Sequence, residues 1–207
     1  ARQSGLRLTA EAIRDSSLAV GGLLSRTLGG PSVRPPQSSS TVMGGFGKSG
    51  WSVSDGDGRF RRALYIFIKR ATPFPQLATF DAPNARDCCT QRERSNTPLQ
   101  SLTLLNDPMF FACSKALAMR VLSECDGDDR QRMDHLFRIC TARLPSVQER
   151  HELLASHRRL VEVLQRDPRS VAELVADNPG GGDPIELGAW TGVCSVVLNL
   201  HEFITRD

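Results

Sequence analysis

The sequence predicts an all-α fold, an irregular multi-helix bundle broken by one long Pro/Ser/Gly-rich loop. Three observations carry that prediction. Apolar residues recur at helical spacing through most of the chain from Asp107 onward. No stretch alternates apolar and polar residues over the length of a strand. Two helix starts, Thr97-Pro98 and Asp107-Pro108, each pair a capping residue with proline at the first helical position, where its missing N–H is not needed. The expected organisation is a single helical domain, 1–207.

Taken in order, Thr9 is the expected N-cap of the first helix, with Leu8 and Ile13 placed as a hydrophobic staple. Ile13, Val20, Leu23, Leu24 and Leu28 follow on one side, and Gly29-Gly30-Pro31 supplies the stop. Residues 31–58 lack periodicity and are expected to form a flexible loop that can be shortened, because loop closure costs only ~0.6 kcal/mol per doubling of length. A short apolar helix is expected at about 60–70 on Leu64, Tyr65, Phe67 and Ile68, with Pro73 and Pro75 forcing extended chain after it. Helices are expected next from Asp107 to about Ser123 and from about Asp128 to Thr141. Ser146 and Glu149 form a capping box for a long helix to about Arg166, and Asp167-Pro168 starts a short one to Ala176. The last runs from Pro184 to about Leu200, faced by Leu187, Trp190, Cys194, Val197 and Leu198.

Composition narrows the function classes. No stretch approaches the ~20 apolar residues of a membrane span, so no span is expected. The chain opens on Ala1 shortly before a helix start and reads as a piece of a longer polypeptide. Residues 1–106 carry 14 Lys/Arg against 7 Asp/Glu and residues 107–207 carry 12 against 16, an asymmetry that packed halves can neutralise between them. The basic stretch Arg59, Arg61, Arg62, Lys69 and Arg70 stands beside Phe60, Tyr65 and Phe67, but these aromatics fit better as the buried side of a helix. A nucleic-acid partner is therefore not expected. Six cysteines contain no C-x-x-C and no C-x-x-C-H, which removes zinc-ribbon, thioredoxin-like and covalent haem motifs. Cys113, Cys140 and Cys194 fall on apolar helix faces and are expected as buried free thiols. His201 lies about two helical turns from Cys194, too far to share a metal ion, and His135, His151 and His157 have no paired ligand nearby. No cofactor and no metal site is expected in this fragment.

The densest polar chemistry lies between Phe80 and Pro108. Asp81, Asp87, Arg92, Glu93, Arg94, Asn96, Asn106 and Asp107 form the candidate cluster, with Arg86 beside it. Two uses fit it. Carboxylates and guanidinium clamps in an open cleft would serve acid/base chemistry, with Asp81, Asp87 and Glu93 as acid/base groups and Arg92 and Arg94 as anion clamps. The same charges paired with one another and with helix ends would tie an irregular segment to the bundle, with Arg92 or Arg94 buried against a carboxylate or helix carbonyls.

At Asp81-Ala-Pro, Arg92-Glu-Arg94, Asn96-Thr-Pro-Leu-Gln100 and Leu104-Leu-Asn-Asp-Pro108 the chain resembles the planctomycete-type domain of unknown function that ends large multidomain, cytochrome-c-associated proteins. The similarity extends to Ala10-Glu-Ala-Ile-Arg-Asp15, Leu28-Gly-Gly-Pro31, Arg61-Arg62-Ala-Leu-Tyr65 and Leu198-Asn-Leu-His-Glu-Phe203. The resemblance implies a C-terminal module whose upstream domains are its partners and can hold haem c, in a protein exported to the periplasm or beyond. It carries over no catalytic residue, and it leaves Cys88 without a family role, since the family favours a single cysteine, here Cys89. The expected function is a non-catalytic binding or scaffold module with a protein or carbohydrate partner. The alternative is part of a hydrolase or redox active site, with carbohydrate as one substrate class, built on the Asp81–Glu93 segment.

Overall fold

Thr9 caps the first helix as its signature requires, its hydroxyl accepting from the Ala12 N–H at 3.3 Å and its carbonyl from the Ile13 N–H at 2.9 Å. This helix, α1 (Ala10–Val20), follows a two-residue strand, β1 (Leu6–Arg7), in the computed structural model, which describes residues 5–37, 51–167, 169, 171, 173 and 182–206. α1 ends well before the expected stop. Gly22 takes a left-handed φ of 74°, and the Leu23 N–H bonds the Leu18 carbonyl at 2.9 Å, closing the helix as a Schellman turn. The first glycine pair thus ends the helix, because it offers the left-handed residue that a C-terminus needs. Leu28 consequently lies outside the helix and is 78% exposed.

The framework divides into two compact units, Ala1–Ala19 with Leu23–Phe111 and Ile204–Asp207, and Val20–Gly22 with Ala112–Phe203. In the first unit β1 pairs antiparallel with β2 (Thr205–Arg206), Leu6 opposite Arg206. No helix forms at 60–70. Two 3₁₀ turns, Gly56–Phe60 and Ala63–Tyr65, stand there instead, and the residue after each makes a parallel bridge, Arg61 with Ser25 and Ile66 with Val33. Ala63 and Ile66 are buried while Leu64 is 74% and Ile68 67% exposed, the reverse of a buried helical face. A run as apolar as Leu-Tyr-Ile-Phe-Ile satisfies strand and helix alike, and the bridge partners decide.

Of those partners Ser25 lies in the stretch expected as the first helix and Val33 in the expected loop. Val33 is buried, Arg34 and Ser54 exchange two hydrogen bonds of 2.9 Å, and the Trp51 indole N–H donates to the Pro35 carbonyl at 2.7 Å while its ring stacks on Phe74 at 5.7 Å. The flanks 31–37 and 51–58 are thereby tied into the unit; the centre of the expected loop, 38–50, lies outside the described residues. Pro75 opens a short helix, α2 (Pro75–Thr79), rather than extended chain. The twin starts then behave as written, giving α3 (Pro98–Asn106) and α4 (Pro108–Glu124), with the Asp107 carboxylate accepting from the Met109 N–H at 2.9 Å.

The second unit is built from the remainder of α4 with α5 (Asp129–Thr141), α6 (Val147–Arg166) and α7 (Pro184–Leu198). A last turn, α8 (His201–Ile204), leads into β2. Asp128 and Ser146 cap α5 and α6 through reciprocal boxes with Gln131 and Glu149. Met133, Leu136 and Phe137 of α5 and Trp190, Val193, Cys194 and Val197 of α7 are fully buried, each contributing on the order of 1.5–3 kcal/mol by leaving water. α6 lies close on α7 because two glycines face it: a methyl group at Gly192 would stand 2.7 Å from Leu160 Cδ1, and one at Gly188 2.9 Å from Leu164 Cδ1. The six cysteines are free thiols; Cys113 and Cys194 are buried, Cys88 and Cys89 exposed, and burial pushes the Cys140 thiol up to about 12. The expected helix after Asp167 and the Gly180–Asp183 loop fall largely outside the described residues.

The fold is therefore mostly helical with a single two-stranded sheet among the described residues, as the sequence predicts.

Candidate functional site

The polar segment of the first unit is organised by a helix end. At the C-terminus of α2 the Ala82 N–H bonds the Leu77 carbonyl at 3.0 Å and the Asp81 N–H bonds Ala78 at 3.1 Å, a Schellman motif with Asp81 in the left-handed position at φ 61°. Glycine usually fills that place, and aspartate tolerates it. Its carboxylate has three partners. Arg7 pairs with Oδ2, the Ser95 N–H and hydroxyl donate at 2.7 and 2.9 Å, and the Gln100 amide reaches it at 3.5 Å. Burial works against the charge on Asp81, but the Ser95 bonds, Arg7 and Gln100 outweigh it and hold the carboxyl below its usual range.

Arg7 and Gln100 are themselves pinned. Arg7 is only 7% exposed and gives two further bonds of 3.3 Å to the Phe80 carbonyl, while buried Gln100 donates to the Thr79 carbonyl and Ser95 hydroxyl, both at 3.0 Å. A second hub lies on the same unit. Fully buried Arg14 donates to Gln76 Oε1 and to the Arg59 carbonyl at 3.0 Å each, and Gln76 passes a bond of 2.9 Å to the Asp107 carboxylate. Burial raises the Asp107 pKa in spite of its bonds from Met109 and Phe110. Arg61, buried against the Tyr65 ring, serves the carbonyls of Thr27, Gly29 and Pro31 and is spent on shaping that turn.

The expected cluster is thus divided. Asp81 is a hub, and Asp107 belongs to the Arg14 network. Arg92 is 44% exposed and paired with Glu11 at 2.8 Å; Arg94 is exposed as well, so the buried arginine expected at 92 or 94 is instead Arg7. The reason is reach: residues 91–94 run exposed, and the buried guanidinium comes from β1, far away in sequence. Asp87 is exposed and bonds Asn84 at 3.4 Å, and Arg86 donates to the Arg70 carbonyl at 2.9 Å. Glu93 and Asn96 are exposed, and Asn106 bonds back to Leu102 of its own helix at 2.8 Å. Asp81, Arg92, Glu93 and Arg94 do share one cavity with Arg7, but its volume is about 10 Å³, room for a single water.

Arg7, Arg14, Gln76, Ser95 and Gln100 were not anticipated as site residues. One signal was present: Ala10, Ile13, Arg14, Ser17 and Leu18 occupy i, i+3, i+4, i+7 and i+8, placing an arginine in the buried stripe of α1. Gln100 likewise sits three residues after the Thr97 cap, the capping-box position. Arg7 has no comparable sign.

The first unit also holds an open groove of about 420 Å³. Ile66, Phe67 and Ile68 line one side, Phe74, Leu77 and Ala78 contribute further apolar surface, and Ala82–Ala85 complete it. Glu11, Asp15, Arg62 and Arg92 stand on its border, already paired as Arg92 with Glu11 and Arg62 with Asp15 at 3.4 Å. Among the described residues no group of three or more His, Cys, Asp or Glu is placed to hold a metal ion, and no helix is long and apolar enough to cross a membrane. No curated protein and no solved structure matches the chain. A family match does exist, over residues 1–157, to PSD1, described as a protein of unknown function (DUF1553). Since that match spans most of the chain, the protein belongs to this family of unknown function.

Proposed function

We propose that the chain is a non-catalytic binding module of a larger, extracytoplasmic protein, with any haem c carried by its upstream domains. The observation that supports the first part is the state of Asp81: both carboxylate oxygens are occupied by Ser95, Arg7 and Gln100, and the cavity beside it admits one water rather than a substrate. A general acid or base needs an open face on the proton it moves. The apolar groove, by contrast, lies in the size range of ligand sites, roughly 300–1,000 Å³, and shares only Arg92, already paired with Glu11, with that cluster. The export and haem association rest on the family resemblance of the polar motifs.

The test uses the full-length parent protein. Asp81→Asn with Glu93→Gln is expected to leave any hydrolytic or redox turnover of the parent unchanged. Loss of turnover in that variant, measured at a temperature where circular dichroism shows it still folded, refutes the binding-module reading.

A further inference from the structure

The groove has a backbone feature that narrows its occupant. The Val33 N–H donates to the Tyr65 carbonyl and the Phe67 N–H to the Val33 carbonyl, both at 2.8 Å. Successive residues of an extended chain present their amide groups to opposite sides. With Tyr65 and Phe67 turned toward Val33, the Ile66 carbonyl and the Ile68 N–H turn the other way, and among the described residues neither has a partner. Ile66, Phe67 and Ile68 are also the residues that line the groove. The site therefore combines an apolar trough with an unpaired strand edge.

Its charges select further. Arg92 is held by Glu11 at 2.8 Å; Arg62 is held by Asp15, whose other oxygen accepts from the Ala63 N–H at 2.7 Å. The border is neutral as it stands, so an ionic occupant would have to break an existing pair while an uncharged one breaks none. The apolar surface is mainly aliphatic and offers few donors or stacking faces for a sugar.

Building on the binding-module reading, we propose that the groove takes a short, extended, uncharged apolar stretch of a partner polypeptide, added as a strand beside Ile66–Ile68. One residue of the incoming segment donates its N–H to the Ile66 carbonyl and accepts from the Ile68 N–H, repeating on this side what Val33 does on the other. Its inward side chains enter between Ile68 and the Phe74–Leu77 surface. A free edge of this kind is what a sheet-forming partner recognises.

The experiment titrates the whole chain into a fluorescein-labelled, acetylated and amidated heptapeptide of alternating threonine and valine, read by anisotropy. Saturable binding is expected, and N-methylation of one central residue should weaken it about ten-fold, the worth of one lost hydrogen bond, whereas methylating its neighbour should not. Ile68→Pro removes the edge donor and Leu64→Asp sets a charge at the groove mouth. Both positions are largely exposed, so each variant is expected to keep its thermal midpoint and lose about ten-fold in affinity. No saturation up to ~1 mM, equal binding of the methylated peptides, equal binding of an aspartate-containing peptide, or displacement of the peptide by a β-linked glucose hexasaccharide would each overturn the proposal. The methylation series needs no change in the protein. If the peptide fails while the Asp81→Asn, Glu93→Gln parent keeps its turnover, the groove assignment alone falls.

Discussion

At Asp81 two demands meet on one residue. The α2 terminus asks for a left-handed backbone, which glycine would supply without strain, and Arg7 asks for a carboxylate, which glycine lacks. The carboxylate wins because Arg7 is buried, and a buried charge without its partner costs more than a left-handed aspartate, ~3–5 kcal/mol against ~1–3 kcal/mol. Asp81→Gly is accordingly expected to destabilise in spite of the relieved backbone, and Arg7→Met to cost on the order of 3 kcal/mol, both read from urea unfolding. Arg94→Ala, on an exposed side chain, should stay within about 0.5 kcal/mol. A loss at Arg94 equal to that at Arg7 would show that the hub has been misplaced. The contrast also marks what a sequence can disclose. Asp81 lies in a dense polar run and was visible there; Arg7 acts across 74 positions, and no local pattern advertises a partner at that separation. Arg14 was visible in principle, as the one charge in an apolar stripe.

Elements whose ends are specified locally were legible. Asp128 with Gln131 and Ser146 with Glu149 close reciprocal bonds of about 3 Å in places the sequence marks, and α5, α6 and α7 begin where expected. Asp128→Ala and Ser146→Ala should each cost about 1 kcal/mol of stability, the usual worth of a cap, in thermal or urea unfolding. At α6 only the bond from the Glu149 N–H to the Ser146 hydroxyl is lost, since the Glu149 carboxylate keeps the Ser146 backbone N–H at 2.7 Å and its pair with Arg143, which also holds Glu202. Arg143 and the Ser146 bonds bring the Glu149 carboxyl down to about 2. Elements specified by distant partners were not legible. The 60–68 segment forms no helix because Ser25 and Val33 bridge it. The end of α1 is a different case: it is set locally at Gly22, and the apolar spacing, which runs on past that first glycine pair to Leu28, masks it.

At the scale of the whole molecule, acid should act in two windows set by different residues. His157 of α6 is buried with its ring 4.8 Å from that of Trp190, and its Nδ1 lies 3.9 Å from Asp129. Burial lowers its pKa; Asp129 and Glu186 pull the other way, and Arg132 and Arg158 add to the lowering. The folded state therefore binds fewer protons here than the unfolded chain, so stability present above the ordinary histidine value of about 6.5 is lost as pH falls through the depressed one. His157→Gln should remove this slope, and Trp190 fluorescence should report it locally, since a protonated imidazole would stand against the indole. The second window belongs to carboxylates of both units, Glu149 of α6 among them. Asp81 and Glu11 titrate below their usual range, so their contribution persists until pH falls below about 4 and is then lost. Asp107, raised by burial, acts in the opposite sense and gains stability as pH falls toward the ordinary carboxylate value. Urea midpoints across pH 7 to 3 should thus decline first below about 6.5, level off where Asp107 takes up its proton above the ordinary carboxylate range, and fall again below about 4. Asp81→Asn should make only the last of these segments shallower, since Glu11 and Glu149 still titrate there. A decline near pH 6 that survives in His157→Gln would remove His157 as its source.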